Sequence, residues 1–80
     1  MPAGVVTIDL HGRNQTQARV TIDSQLRRAK GDVYRIRIIH GFNSGTALRE
    51  MIEQEYKNHP KVRRLLRLDA GTTDLVLREF

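Results

Sequence analysis

Apolar and polar positions alternate with a period of two along Val5–Leu10. Val6, Ile8 and Leu10 fall on one face and Val5, Thr7 and Asp9 on the other, where His11 joins them if the extended geometry persists. The pattern predicts a strand. Gly12-Arg13 breaks it, and the period then lengthens to that of a helix. Asn14 stands at the N-cap with Gln17 three residues on, the spacing of a capping box, and Ala18, Ile22, Leu26 and Ala29 follow on one stripe. Val20 falls off that stripe, and Gly31 is placed to end the helix. Val33–His40 predicts a second strand, with Ile36 and Ile38 opposed to Arg35, Arg37 and Ile39. A loop at Gly41–Gly45 leads to a second helix marked by Leu48, Met51, Ile52 and Tyr56, which stops near His59-Pro60. Val62–Leu68 predicts a third strand with poor alternation, Ala70-Gly71 a turn, and Thr73–Arg78 a fourth strand with Leu75 and Leu77 opposed to Asp74, Val76 and Arg78.

The order is β-α-β-α-β-β. Each strand-helix-strand unit predicts a parallel pair joined by a right-handed crossover, and the last two strands are close enough in sequence to be antiparallel. A sheet covered on both faces would carry continuous apolar runs, whereas the first two strands alternate. The expected fold is therefore an α/β chain of the two-layer α+β kind. It is a mixed four-stranded sheet with both helices on one face, leaving Asp9, Arg35 and Arg37 on the open face. With 80 residues the chain forms a single domain, 1–80, too short for a large enclosed pocket.

Charge narrows the function. Fourteen Lys and Arg against nine Asp and Glu give a formal charge of +5, and most of the bases are arginine, whose planar fork matches phosphate oxygens. A basic small domain points first to nucleic acid; the plainer alternative is that the charge confers solubility. No segment pairs a basic face with a wide apolar one, so a membrane surface is not the expected partner. The absence of cysteine excludes disulfides and thiolate zinc sites and fits a reducing cytoplasm. No apolar run is long enough for a membrane span, and Met1 to Leu10 lacks the features of a signal peptide.

Three features could carry chemistry. Asp9 and His11 lie two apart on a strand and so share a face. The imidazole can move protons near neutrality, and the carboxylate can orient it or help hold a divalent cation such as Mg²⁺ or Mn²⁺. Two such residues are too few for a complete metal site unless substrate and water fill it. A solvated Asp and His at a strand edge would look the same. The second feature is His40-Gly41-Phe42-Asn43-Ser44-Gly45, which runs from a strand end to a helix N-terminus, a geometry that suits a phosphate; Arg49 in the first turns of that helix could reach the same anion. An ordinary strand-to-helix turn capped by Ser44 would also look like this. The third is their conjunction at the carboxyl ends of two neighbouring parallel strands, where open α/β sheets bind ligands. There His11 and His40 could together run acid–base cleavage of RNA. Elsewhere, His59 before Pro60 reads as a cation at a helix end. Arg63, Arg64 and Arg67 could line a nucleic-acid path or simply solvate an edge strand. Phe42 could stack on a base or pack. Tyr34, Tyr56 and Phe80 read as core or rim.

At these same residues the sequence resembles the Smr (small MutS-related) domain family over essentially its whole length. Ile8–Gly12, "IDLHG", is similar to the family's Leu-Asp-x-His motif with Ile for Leu. Ile38–Arg49, "IIHGFNSGTALR", is similar to its His/Thr-Gly-x-Gly loop followed by Leu-Arg, and "HPKV" at His59–Val62 and "GTTDLVL" at Gly71–Leu77 also fit. One departure is Asn43, which stands where the family has its second glycine, in a loop one residue longer; Asn tolerates left-handed backbone. The resemblance implies a fold like the C-terminal domain of translation initiation factor 3. It also implies nucleic-acid binding, with endonuclease or nicking activity on DNA or RNA in several members, some acting on branched DNA or stalled ribosomes. It implies Asp9 and His11 as the catalytic residues and the His40-Gly41 loop as a phosphate contact; His40, at the neighbouring strand end, is the third catalytic candidate. The candidate nucleic-acid contacts are Gly41, Phe42, Asn43, Ser44 and Gly45 of that loop with Arg49, and, on position and charge, Arg13, Arg35 and Arg37. The expected function is a structure-selective endonuclease; the alternatives are a non-catalytic nucleic-acid or ribosome-binding module and a protein-interaction domain.

Overall fold

Alternation in the first strand and the capping signal after it both take effect locally. In a computed structural model that describes residues 4–41 and 46–79, β1 (Val5–Asp9) is followed by α1 (Gln15–Arg28), β2 (Arg35–Ile39), α2 (Ala47–Tyr56), β3 (Arg64–Asp69) and β4 (Thr72–Val76). The sheet order is β1-β2-β4-β3. β1 and β2 are parallel, with Val5 opposite Arg35 and Asp9 opposite Ile39. β4 inserts between β2 and β3 and runs antiparallel to both. That placement is non-local: the crossover through α2 carries β3 to the far edge, and the tight Asp69–Thr72 turn brings β4 back beside β2.

Each helix buries one stripe on the same face of the sheet. Ala18, Ile22 and Leu26 of α1 and Met51, Ile52 and Tyr56 of α2 meet Ile36, Ile38 and Leu75 in one core, into which Leu10, Val62 and Leu77 also pack. A fully buried Ile or Leu contributes about 1.5–3 kcal/mol, so this stripe-on-sheet contact supplies the main driving force. Val20, off the stripe, is exposed. The helices are also joined directly. The Tyr56 hydroxyl donates to Asp23 Oδ1 at 2.7 Å, and Arg19 pairs with Glu55 at 2.7 Å.

The start of α1 is as the sequence predicts. Gln17 N–H donates to the Asn14 side chain at 2.8 Å, and Asn14 N–H donates to the Gln17 side chain at 3.1 Å. Its end is not. The helix stops at Arg28 with Ala29 as an extended C-cap, and Gly31 lies beyond it without left-handed backbone. A tertiary partner replaces the expected glycine cap: the Lys61 ammonium donates to the Leu26 carbonyl at 2.6 Å, satisfying an orphan of the last turn. α2 likewise ends earlier than Pro60 suggests, at Tyr56, and the strands are shifted or trimmed by one or two residues at their ends.

The expected open face carries Val5, Thr7 and Asp9 beside Arg35, Arg37 and Ile39, as the alternation predicts. It is not fully solvated, however. β4 lies inside the sheet, and Asp74 and Val76 on its outer face are both 0% exposed. Asp74 sits opposite Arg37 in the ladder and is covered by two arginines. Arg37 Nε and Nη2 donate to its two oxygens at 3.0 and 3.1 Å, and Arg35 Nη1 approaches at 3.4 Å. A buried carboxylate needs such partners, because desolvation without them costs several kcal/mol.

The asymmetry of that clamp predicts an order of mutational costs. Arg37→Leu leaves a buried carboxylate short of its bidentate partner and should lower stability by about 3 kcal/mol. Asp74→Asn leaves two half-exposed arginines that can turn to water and should cost less, about 1–2 kcal/mol. Urea denaturation checks this, and a larger loss for Asp74→Asn would contradict the account. Asn14→Ala should cost about 1 kcal/mol by the same measurement, through loss of the α1 cap.

Candidate functional site

Parallel pairing of β1 and β2 brings their carboxyl ends to one rim. At the end of β1, Leu10 turns inward and is buried, and its N–H donates to the Ile39 carbonyl at 2.7 Å. The inward anchor at Leu10 leaves Asp9 and His11 outside. His11 Nδ1–H donates to Asp9 Oδ1 at 2.5 Å, and the His11 backbone N–H reaches the same oxygen at 3.2 Å. One carboxylate oxygen thus sets both the backbone turn and the ring orientation. The imidazole is well exposed, with 69% of its side-chain surface free, and Nε2 has no partner among the described residues. The His11 hydrogen bonds, with the nearby Arg13 cation adding to them, hold the Asp9 carboxyl below its usual value of 3.8. Asp9 therefore stays ionised at neutral pH. Gly12 follows with φ +78°, the left-handed turn that delivers the chain to the α1 cap.

Gly41 packs against this pair. Its φ is +76°, and a Cβ placed on it would lie 3.2 Å from His11 Cβ, so only glycine lets the two strand ends approach so closely. The Gly41 N–H is already engaged with the Gly71 carbonyl at 3.1 Å and is not an open phosphate donor. Phe42, Asn43, Ser44 and Gly45 lie outside the described residues, as does Phe80. Thr46, at the N-cap of α2, donates to the Glu50 side chain rather than capping the helix N-terminus.

His40 is placed differently from the expectation of two imidazoles facing one substrate. It points to the helix side of the sheet and is 2% exposed. Its Nδ1–H donates to the Gly41 carbonyl at 2.9 Å, and its Nε2 accepts from the Thr73 hydroxyl at 3.0 Å. Both nitrogens are occupied, so His40 holds the Gly41 backbone in place. The partner that the sequence reading missed is Thr73, and the available signal was a polar residue on the apolar face of β4, in step with Leu75 and Leu77. His40 also lies at the bottom of a surface pocket of about 430 Å³ between the starts of α1 and α2, which Arg13 and Asn14 line.

The remaining expected contacts divide. Arg13 lies near the Asp9–His11 pair. Arg35 and Arg37 share the sheet face with Asp9 but are taken up by Asp74. Arg49 is in the first turn of α2, and its Nε is shielded from solvent without a hydrogen-bond partner among the described residues. Arg64 and Arg67 pair with Glu79 and Glu53. His59 closes the end of α2: its N–H donates to the Tyr56 carbonyl, and its Nδ1 accepts from Lys61 N–H. Among the described residues no group of three His, Cys, Asp or Glu could hold a metal ion, and the imidazole nitrogen nearest Asp9 is the one bonded to it. The described side chains do not by themselves make a divalent-cation site.

Comparison with curated proteins gives no match. Among solved structures, the Smr domain of MutS2 from Thermus thermophilus superposes with a TM-score of 0.81 at 24% identity, covering 92% of this chain and 99% of that one. At that identity the likeness concerns the fold: the same mixed sheet with two helices. The family model of the Smr domain matches residues 8–72, from the Asp9–His11 turn through both helices to the start of β4. The chain belongs to the Smr domain family.

Proposed function

We propose that this Smr domain binds nucleic acid and cleaves its phosphodiester backbone, with RNA as the substrate its exposed groups suit best. The observation that carries this is the Asp9–His11 pair. With Nδ1–H committed to the Asp9 carboxylate, the neutral imidazole presents Nε2 as an unpartnered base at an exposed rim. Nε2 takes the proton of a ribose 2′-hydroxyl, whose oxygen bonds to the adjacent phosphorus. The bond from phosphorus to the 5′-oxygen breaks, and solvent supplies the proton to that leaving oxygen. Asp9 stabilises the imidazolium so formed. RNA supplies its own nucleophile in this step, whereas hydrolysis of DNA would require the same base to position and activate a water. The phosphate would lie toward Arg13 and the start of α2, where Arg49 Nε lacks a partner among the described residues and the helix dipole favours an anion. A divalent cation, if one takes part, would have to be held largely by substrate and water.

A second reading, a binding module without turnover, has one observation in its favour. His40 is buried and fully bonded and so supplies no second proton-transfer group.

Incubating labelled single-stranded RNA, duplex DNA and branched DNA with the protein, with EDTA or Mn²⁺, separates the readings. RNA should be cut with EDTA present. His11→Ala should lower the rate roughly 10²–10⁴-fold while leaving binding nearly intact. Unchanged cleavage in that variant would remove His11 from the mechanism, and binding without cleavage in every lane would favour the second reading. The Asp9–His11 contact has its own readout. A carboxyl whose folded pKa lies below 3.8 adds stability that is present above that value and lost as the pH falls through the lowered one. Carbon-13 NMR of the Asp9 carboxyl should give a midpoint below 3.8 that moves back up toward 3.8 in His11→Ala.

A further inference from the structure

The charge that suggested nucleic acid does not reside where the sequence placed it. Arg35 and Arg37 are held on Asp74, Arg19 on Glu55, Arg64 on Glu79 and Arg67 on Glu53. Of the cations that make no ion pair among the described residues, Arg13 and Arg49 stay near the rim, but a larger group converges at the other end of the molecule. There the α1–β2 connection, the α2–β3 connection and the residues after β4 enclose an open pocket of about 490 Å³. Lys30, Lys61, Arg63 and Arg78 line it, and no carboxylate does. All four are exposed. Lys30, Arg63 and Arg78 make no ion pair among the described residues, and Lys61 is bonded only to the neutral Leu26 carbonyl, which leaves its charge uncompensated. Arg78 lies over the backbone of Gly31, where an added Cβ would sit 3.5 Å from Nη2. Ala29, Val33 and Leu77 form the apolar part of the lining.

We propose that this pocket is a second phosphate-binding site, which grips the backbone of the same nucleic acid at the pole opposite the Asp9–His11 rim. Four like charges converging on a concave surface repel one another, and an anion relieves that repulsion. Helix capping does not account for the set: only Lys61 reaches an α1 carbonyl, and Arg63 and Arg78 belong to other segments. The two poles lie at opposite ends of β2, roughly 23 Å apart at ~3.3 Å per residue from Val33 to His40. With one phosphate per ~3.4 Å along a duplex strand, about seven phosphates span that distance. The site therefore selects for a polymer long enough to reach both ends. It rests on the reading that this domain engages nucleic acid, but not on cleavage.

The test is binding of a single-stranded RNA long enough to reach both poles, measured by fluorescence anisotropy across a KCl series. Intact chain and R63Q/R78Q are each carried in the His11→Ala background so that the probe is not consumed. The substituted residues are exposed, and a circular-dichroism melt verifies that the variant folds. R63Q/R78Q should bind more weakly and show a log–log salt slope shallower by about 1.4, two contacts at ~0.7 each for a single strand. The charge-matched R19Q/R67Q, whose cations already face carboxylates, should keep the intact slope. An identical slope for R63Q/R78Q and the intact chain would overturn the proposal. A parallel amide NMR titration with inorganic pyrophosphate separates the sources of phosphate. Shifts at Lys30–Val33 and Lys61–Arg63 with pyrophosphate, together with an unchanged RNA slope in the variant, would mark a site for small free phosphates and also overturn it. Absence of any RNA binding would overturn both this proposal and the nucleic-acid reading. Retained binding with unaltered cleavage in His11→Ala would overturn only the earlier mechanism.

Discussion

The parallel ladder between β1 and β2 is the constraint on which the rest depends. Its register sets Asp9 opposite Ile39, so the next residues of both strands emerge side by side. Gly41 can then lie against His11 at a distance no other residue would allow. Leu10, buried and bonded to Ile39, fixes the alternation that turns Asp9 and His11 outward. A slip of one residue would reverse every side chain and carry the pair into the core. The α1 cap and the Gly12 turn follow from the same exit geometry. The domain therefore displays the acid–imidazole pair on a sheet edge fixed by the core, open to solvent.

β4 does for the sheet what Leu10 does for the rim. Lying between β2 and β3, it is covered on both sides. On the helix side, Thr73 holds His40, which in turn holds the Gly41 carbonyl. On the outer side, Asp74 draws Arg35 and Arg37 down onto the sheet. These adjacent residues thus tie β4 to the site by one face and to the sheet's charge pattern by the other. Because Asp74 neutralises the arginines of the sheet face, the densest group of uncompensated cations lies at the far pole. A backbone-gripping function would then be separated in space from the proton-transfer pair.

Much of this was readable in the chain. The two-layer sheet with both helices on one face, the capping box at Asn14 and Gln17, and the outward pairing of Asp9 with His11 all rest on contacts within a few residues. So does the membership implied by the "IDLHG" and "IIHGFNSGTALR" segments, which the family match bears out. Other expectations failed where a distant partner intervened. Gly31 does not cap α1, because Lys61 reaches the last-turn carbonyl from another connection. His40 does not face the rim, because Thr73 captures its ring. Arg35 and Arg37 lie on the expected face but are not free.

The sequence by itself determined where strands and helices form, which residues turn inward, and that an acid and an imidazole share one strand end, since periodicity and capping act over a few residues. Only the tertiary structure decided that β4 enters the sheet beside β2, that one imidazole is buried while the other is exposed, and which of the fourteen cations remain unpaired. Those outcomes depend on pairings between different segments, from fourteen to some forty residues apart. Desolvation makes a partner obligatory for a buried Asp or His, but composition and spacing do not say which partner it will find.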